Sequence, residues 1–213
     1  MRVRLSPGVQ KKMQNSNIKY QKSSKNFANF LFEAAVLKRL KRTGWQILGG
    51  DNQESIAEHS YMVSVISLLI SDILGADKEK VLTMSLFHDF SEGRTGDVYK
   101  LADFYVNVNE KKANEDAFHS LPNSSKMIGI LEEYKEAKTL ESKIVHDADV
   151  LALMIELKIL IENGNRNAGE WFEGNLKRLK LKESQKIGRE IEKSNSQNWW
   201  KKERSMIHKG EVA

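Results

Sequence analysis

The chain contains no cysteine. That excludes a disulfide framework and any thiolate metal site, and it fits a reducing compartment. Only two prolines interrupt its 213 residues, so little in the sequence breaks long helices. The longest apolar stretch, Tyr61 to Ile70, is interrupted by Ser64 and Ser67 and is too short to span a bilayer. The polar, basic first residues hold no apolar signal core. We therefore expect a cytoplasmic protein with no membrane partner. Acidic residues are missing from residues 1–25, which carry seven cations: Arg2, Arg4, Lys11, Lys12, Lys19, Lys22 and Lys25. Removing those seven from the net +5 leaves −2 on residues 26–213. The basic balance thus belongs to one end and says little about what the core binds.

The length suits one well-cored domain. Apolar residues recur at three-to-four-residue spacing throughout, which predicts an all-α, single-domain helical bundle. Residues 1–25, rich in Ser, Asn, Gln and Lys without a helical period, are expected to be a flexible basic arm. The folded domain should span 26–192, and 193–213 should form a helical extension or tail. The arm and the Lys-rich stretch around Lys177, Arg178, Lys180 and Lys182 invite a nucleic-acid reading, but without interleaved aromatics a solvated surface explains them better.

Several helices are legible. One should begin near Asn26, with Phe27, Phe30, Leu31, Ala34, Leu37 and Leu40 on one face, and end where Gly44 takes a positive φ. Ser55 and Glu58 form the capping-box pattern of a helix that runs to Gly75 and carries His59 in its first turn. Asp77 caps a helix ending at His88-Asp89. Residues 98–134 lack a clean period and are given no chemistry; His119 should be a surface or capping residue. A long helix is expected from Tyr134 to Asn163, with Leu140, Ile144, Ala148, Leu151, Ile155, Ile159 and Leu160 inward. In the last stretch Leu176, Leu179, Ile187, Ile191 and Trp199-Trp200 should pack inward.

The chemistry concentrates in His88-Asp89-Phe90-Ser91-Glu92-Gly93-Arg94-Thr95-Gly96-Asp97, an imidazole and three carboxylates within ten residues. Successive helical residues point about 100° apart, so His88 and Asp89 share one ion only where a helix end lies over the centre of a bundle. Other ligands must come from elsewhere. Asp149 lies beside Ala148 and close to the buried face of its helix, where an unpaired charge is costly. His59, His88, Asp89 and Asp149 then make a mixed nitrogen and oxygen set suited to a first-row divalent cation such as Mn or Co. A lone histidine at position 59 is more often a capping or packing residue, and Arg42 more often a solvated cation, though a guanidinium also offers paired donors to phosphate.

The order His59, His88-Asp89, Asp149 resembles the H…HD…D signature of HD-domain metal-dependent phosphohydrolases. The surrounding Glu58-His59-Ser60, His88-Asp89-x-x-Glu92, Thr95-Gly96-Asp97 and Asp147-Ala148-Asp149 resemble the 5′-deoxynucleotidase branch, over roughly residues 28–190. The resemblance implies an HD-type helical bundle and release of the 5′-phosphate from deoxyribonucleoside 5′-monophosphates. It implies His59, His88, Asp89 and Asp149 as ligands of a divalent cation, and Glu92 and Asp97 as the acidic pair, one handling protons and the other holding sugar or water. Arg42 resembles the phosphate-binding arginine of that branch, and Trp45 the aromatic lining the sugar pocket. In some members the arginine directly precedes the tryptophan, whereas Thr43-Gly44 intervenes here. Asp147 competes with Asp149 for the last ligand place. Related enzymes suggest a homodimer built through amphipathic helices. The runner-up function is an HD phosphohydrolase acting on a cyclic, triphosphate or signalling nucleotide; a non-enzymatic nucleic-acid module ranks below both.

Overall fold

The computed structural model describes residues 24–49 and 54–210, and most of the basic arm lies outside them. No strand forms among the described residues; one isolated antiparallel bridge joins Lys41 to Ser55. The helices are α1 (24–36), α2 (Gly44–Leu48), α3 (Ile56–Leu74), α4 (Lys78–Phe87), α5 (Glu92–Thr95), α6 (Glu110–Phe118), α7 (Ser124–Glu136), α8 (Leu140–Glu162), α9 (Ala168–Leu176), α10 (Lys182–Lys193) and α11 (Lys201–His208). The all-α bundle is as the apolar spacing predicts.

The central helix α3 begins where the sequence says it should. The Ser55 side chain accepts from the Glu58 N–H at 3.2 Å while Glu58 accepts from the Ser55 N–H at 2.7 Å, and Gly75 closes the helix in the left-handed conformation. α3 packs against α4 and α8, and small buried serines permit the approach: Ser85 on α4 donates to Ser64 on α3 at 3.1 Å, and Ser67 and Ser71 are fully buried. At 19 residues α3 is long and apolar enough to cross a membrane by length and composition. Here it is the middle of the bundle, with Val63, Ile70 and three serines buried on its inner side.

Two hydrophobic clusters fill the interior. The larger joins α3, α4, α8, α9 and α10 around Val63, Met84, Leu151, Met154 and Phe172. The smaller joins α1, α6 and α7 around Leu37, Ile56, Phe90 and Phe118, with Phe30 stacked on Phe90 at 4.9 Å. His59 falls between Ile56 of the second cluster and Val63 of the first; His88 falls between Met84 and Phe90. The two histidine candidates therefore lie on the seam between two apolar cores.

Several expectations need correction. α1 stops near residue 36, and Phe27 and Leu31 are exposed, leaving Phe30 and Ala34 on its buried side and Leu37 and Leu40 packed into the same cluster beyond its end. Gly44 has no positive φ and opens α2; the left-handed glycine is Gly49. The long helix after Tyr134 is two helices: Ala137 takes φ 54°, and Thr139 caps α8 by accepting from the Ser142 N–H at 3.2 Å. Leu140 is partly exposed, and Trp199 is 82% exposed rather than packed. His119 is on the surface, as expected.

Candidate active site

The Lys41–Ser55 bridge explains how Arg42 reaches the site. Arg42 N–H donates to the Glu54 carbonyl at 3.0 Å and Ile56 N–H to the Leu40 carbonyl at 3.0 Å, which lays residues 40–43 along the start of α3, one turn from His59. The next segment is held from the other side of the cleft. Thr43 N–H donates to Asp97 Oδ2, and Thr43 Oγ1 donates to the same oxygen at 3.1 Å. Asp97 is delivered there by the Glu92–Thr95 turn, where Gly96 adopts φ 76° and its N–H closes on the Glu92 carbonyl at 2.9 Å.

His59, His88 and Asp89 each offer a ligand atom, all within 4.8 Å of one another. His59 Nε2 lies 3.0 Å from Asp149 Oδ1 and 3.8 Å from Asp89 Oδ2, and His88 Nε2 lies 3.2 Å from Asp89 Oδ2. Neither imidazole nitrogen is aligned for a hydrogen bond at those distances; His59 Nε2 and His88 Nε2 are buried without a partner among the described residues. Two orphaned imidazole nitrogens facing two carboxylates fit a divalent cation placed between them. The far nitrogen of His88 is fixed: Nδ1 donates to the Ser85 carbonyl at 2.7 Å, which presents Nε2 inward. Asp147 goes elsewhere. Its buried carboxylate accepts from the N–H groups of Lys180 at 3.0 Å and Leu181 at 2.8 Å, capping the start of α10, so Asp149 is the acid left beside His59.

The charges are strongly coupled. Burial would raise Asp89, but the adjacent His88 and Arg42 bring it down to about 2. Burial works against Asp149 in the same way, and contact with His59 and Arg42 holds it below the usual carboxylate range. Burial depresses His59 and keeps it neutral; in His88 burial is outweighed by the Asp89 carboxylate and the pKa rises. Glu92 behaves oppositely to the aspartates. Burial, then Asp89 and Asp97, push it up to about 10, and its Oε2 is buried without a partner. Arg42 bonds Asp89 Oδ2 at 3.1 Å, and the surrounding carboxylates keep it charged despite burial. Trp45 is buried and donates from Nε1 to Glu54 at 3.0 Å; burial lifts Glu54 to about 7.

These groups open onto one cleft of about 1180 Å³, lined by Arg42, Trp45, His88, Asp89, Glu92, Asp97 and Asp149 together with residues the sequence reading passed over. Tyr134, His146, Trp171 and Arg178 are the main additions. Their signals were weak: Tyr134 ends a stretch without a clean period, and Arg178 belongs to a basic run that reads as solvated.

A model of the HD domain matches residues 34–193, three quarters of the chain. The chain belongs to the HD-domain family. Similar proteins include 5′-deoxynucleotidase HDDC2 from Danio rerio, 28% identical over 137 residues that cover 62% of this chain and 68% of that protein. The Xenopus laevis protein of the same name is 28% identical over 139 residues, covering 63% and 69%. Among solved structures, a conserved hypothetical protein from Pyrococcus furiosus is 31% identical with a TM-score of 0.68, over 78% of this chain and 99% of that one. For this HD-domain chain, the resemblance read from four short blocks thus extends over most of the fold.

Proposed function

We propose that this HD-domain protein is a metal-dependent phosphohydrolase that removes the 5′-phosphate from deoxyribonucleoside 5′-monophosphates. The observation that carries the reading is the buried convergence of His59, His88, Asp89 and Asp149 with orphaned imidazole nitrogens, in a chain similar to proteins named 5′-deoxynucleotidase. His59, His88, Asp89 and Asp149 would hold a first-row divalent ion, with Mn and Co the natural candidates for this donor set. When bound, such an ion acidifies water and polarises a phosphoryl oxygen.

The chain's own residues supply the rest. A phosphate monoester dianion brings negative charge to a site already rich in carboxylates, and Arg42, charged and lining the cleft, would neutralise it. Glu92 and Asp97 divide the acid work. Asp97 has one oxygen committed to Thr43 and braces the Arg42-Thr43-Gly44 segment at the sugar side. Glu92 has a free buried oxygen and a proton it holds tightly, so it is the group that passes a proton to the leaving 5′-oxygen. Trp45, fixed through Glu54, forms the apolar wall against which a deoxyribose packs.

We infer that two copies associate through α3. Tyr61, Val65, Leu69 and Ile73 recur at every fourth position on its outer side, Leu69 and Ile73 are 59% and 62% exposed, and Leu86 on α4 extends the stripe. A pool of free nucleotides as substrate fits a cytoplasmic location. The substrate assignment is tested by measuring phosphate release from deoxy- and ribonucleoside monophosphates beside cyclic nucleotides and triphosphates. Deoxy monophosphates should be turned over fastest; preference for a cyclic or triphosphate substrate would replace this reading with the other nucleotide chemistry.

A further inference from the structure

We propose that the Tyr134 hydroxyl is a hydrogen-bond donor to the phosphoryl group of the substrate, a role that rests on the phosphohydrolase reading above. Tyr134 lies at the end of α7 and lines the same cleft as Arg42, Asp89, Glu92 and Asp149. Its ring is clamped on two sides. The His146 imidazole stacks on it at 4.1 Å with planes 15° apart, and the His88 ring meets it edge-on at 5.6 Å. His146 Nε2 also binds the Tyr134 carbonyl at 2.8 Å, so ring and backbone are positioned by one residue. His146 in turn stands one helical turn before Asp149 on α8.

Against that ordering, the phenolic oxygen makes no hydrogen bond to any described residue, nor is it walled off among the buried orphan atoms. A rigid ring whose polar tip is accessible and unpartnered is poised for something that enters the cleft. The Tyr134 ring meets that of His88, and it shares the cleft with Asp149, Asp89 and Arg42. Arg42 is already bonded to Asp89, and Asp149 and Glu92 line the same cleft, so an uncharged donor complements what an incoming phosphate meets there. A phenol is protonated at neutral pH. It donates without adding charge, and the fixed ring spares the cost of ordering it when substrate arrives.

Tyr134→Phe isolates the claim, since it keeps the ring, both ring contacts and the packing and deletes one oxygen. The metal-loaded wild type and variant are compared for orthophosphate affinity by calorimetry, for deoxynucleotide phosphate release, for bound metal and for melting temperature. The expected result is a loss of about 10-fold or more in both phosphate affinity and kcat/KM, the size of one hydrogen bond to a charged group. Metal content and melting temperature should stay at the wild-type level. Unchanged phosphate affinity and kcat/KM would leave Tyr134 as packing only, and loss of metal or of melting temperature would show that it acts through the fold; either overturns the proposal. If the wild type hydrolyses no nucleotide, the phosphohydrolase reading fails, and the orthophosphate arm still decides whether the hydroxyl holds a phosphate.

Discussion

His59 Nε2 and Asp149 Oδ1 approach to 3.0 Å across the seam of the bundle without the alignment of a hydrogen bond. The two side chains come from α3 and α8, which pack against each other in the core, so their spacing is set by the core and not by each other. A shared cation would account for the pair. His59→Ala and Asp149→Asn should each lower metal affinity by more than the roughly 10–100-fold that supporting partners of a ligand cost, with the helical content retained. Metal titration followed by circular dichroism checks both halves of that statement.

Proton linkage gives a second test. His88 carries a proton to higher pH than an ordinary imidazole and must lose it to bind an ion through Nε2. Metal binding near neutral pH should release protons, and the affinity should fall as pH drops through the raised His88 value. Calorimetry in buffers of different ionisation enthalpy reads the proton count; binding without proton release would contradict the assignment.

Glu92 itself has a stability signature in the metal-free protein. Its folded pKa of about 10 lies above the ordinary carboxyl value of 4.5, so between those limits the folded chain keeps a proton the unfolded chain has lost. That contribution is present below about pH 4.5 and declines as pH rises towards 10. Glu92→Gln should therefore gain stability relative to the parent as pH rises, while its phosphate release falls by about 10²–10⁴-fold. Denaturant melts across pH and rate assays measure the two effects.

Local chemistry marks the helix starts and the candidate site residues more clearly than the connections. Ser55 and Glu58 announce the start of α3, Asp77 that of α4, and the His88-Asp89 pair at a helix end needs only local chemistry to be noticed. The break after α7 has no such mark. Ala137 in the left-handed region carries neither glycine nor proline, and the period of apolar residues continues across it. Asp147 and Asp149 could be ranked only by helical phase and by the likeness of the Ala148-Asp149 pair to the family's; what separates them in space is that the backbone of Lys180 and Leu181, more than thirty residues away, fills Asp147's lone pairs. Tyr134 was out of reach because its partners, His88 and His146, meet it only in three dimensions.

The α10 helix offers a packing test independent of the chemistry. A Cβ at Gly188 would lie 2.9 Å from Leu176 Cδ1 and Leu179 Cδ1 and 3.3 Å from Met154 Cε. Alanine asks only for movement of side-chain ends, whereas Gly188→Leu should cost about 1–3 kcal/mol by overpacking. Equal melting of Gly188→Leu and wild type would mean that α10 does not pack this closely.

Association is tested at the outer side of α3. Leu69→Glu with Ile73→Glu should convert dimers to monomers in sedimentation without loss of helix, since both side chains face outward. A wild type that sediments as a monomer at micromolar concentration would remove the pairing from the account.

The central claim is that one cation, held by His59, His88, Asp89 and Asp149, is required for phosphate release. Metal content and deoxynucleotide turnover should be measured on the same preparation, before and after chelation and in His88→Ala. The account predicts one divalent ion per chain in the active protein, with turnover lost on chelation, restored by Mn or Co, and absent in His88→Ala. Undiminished turnover in excess chelator would contradict it.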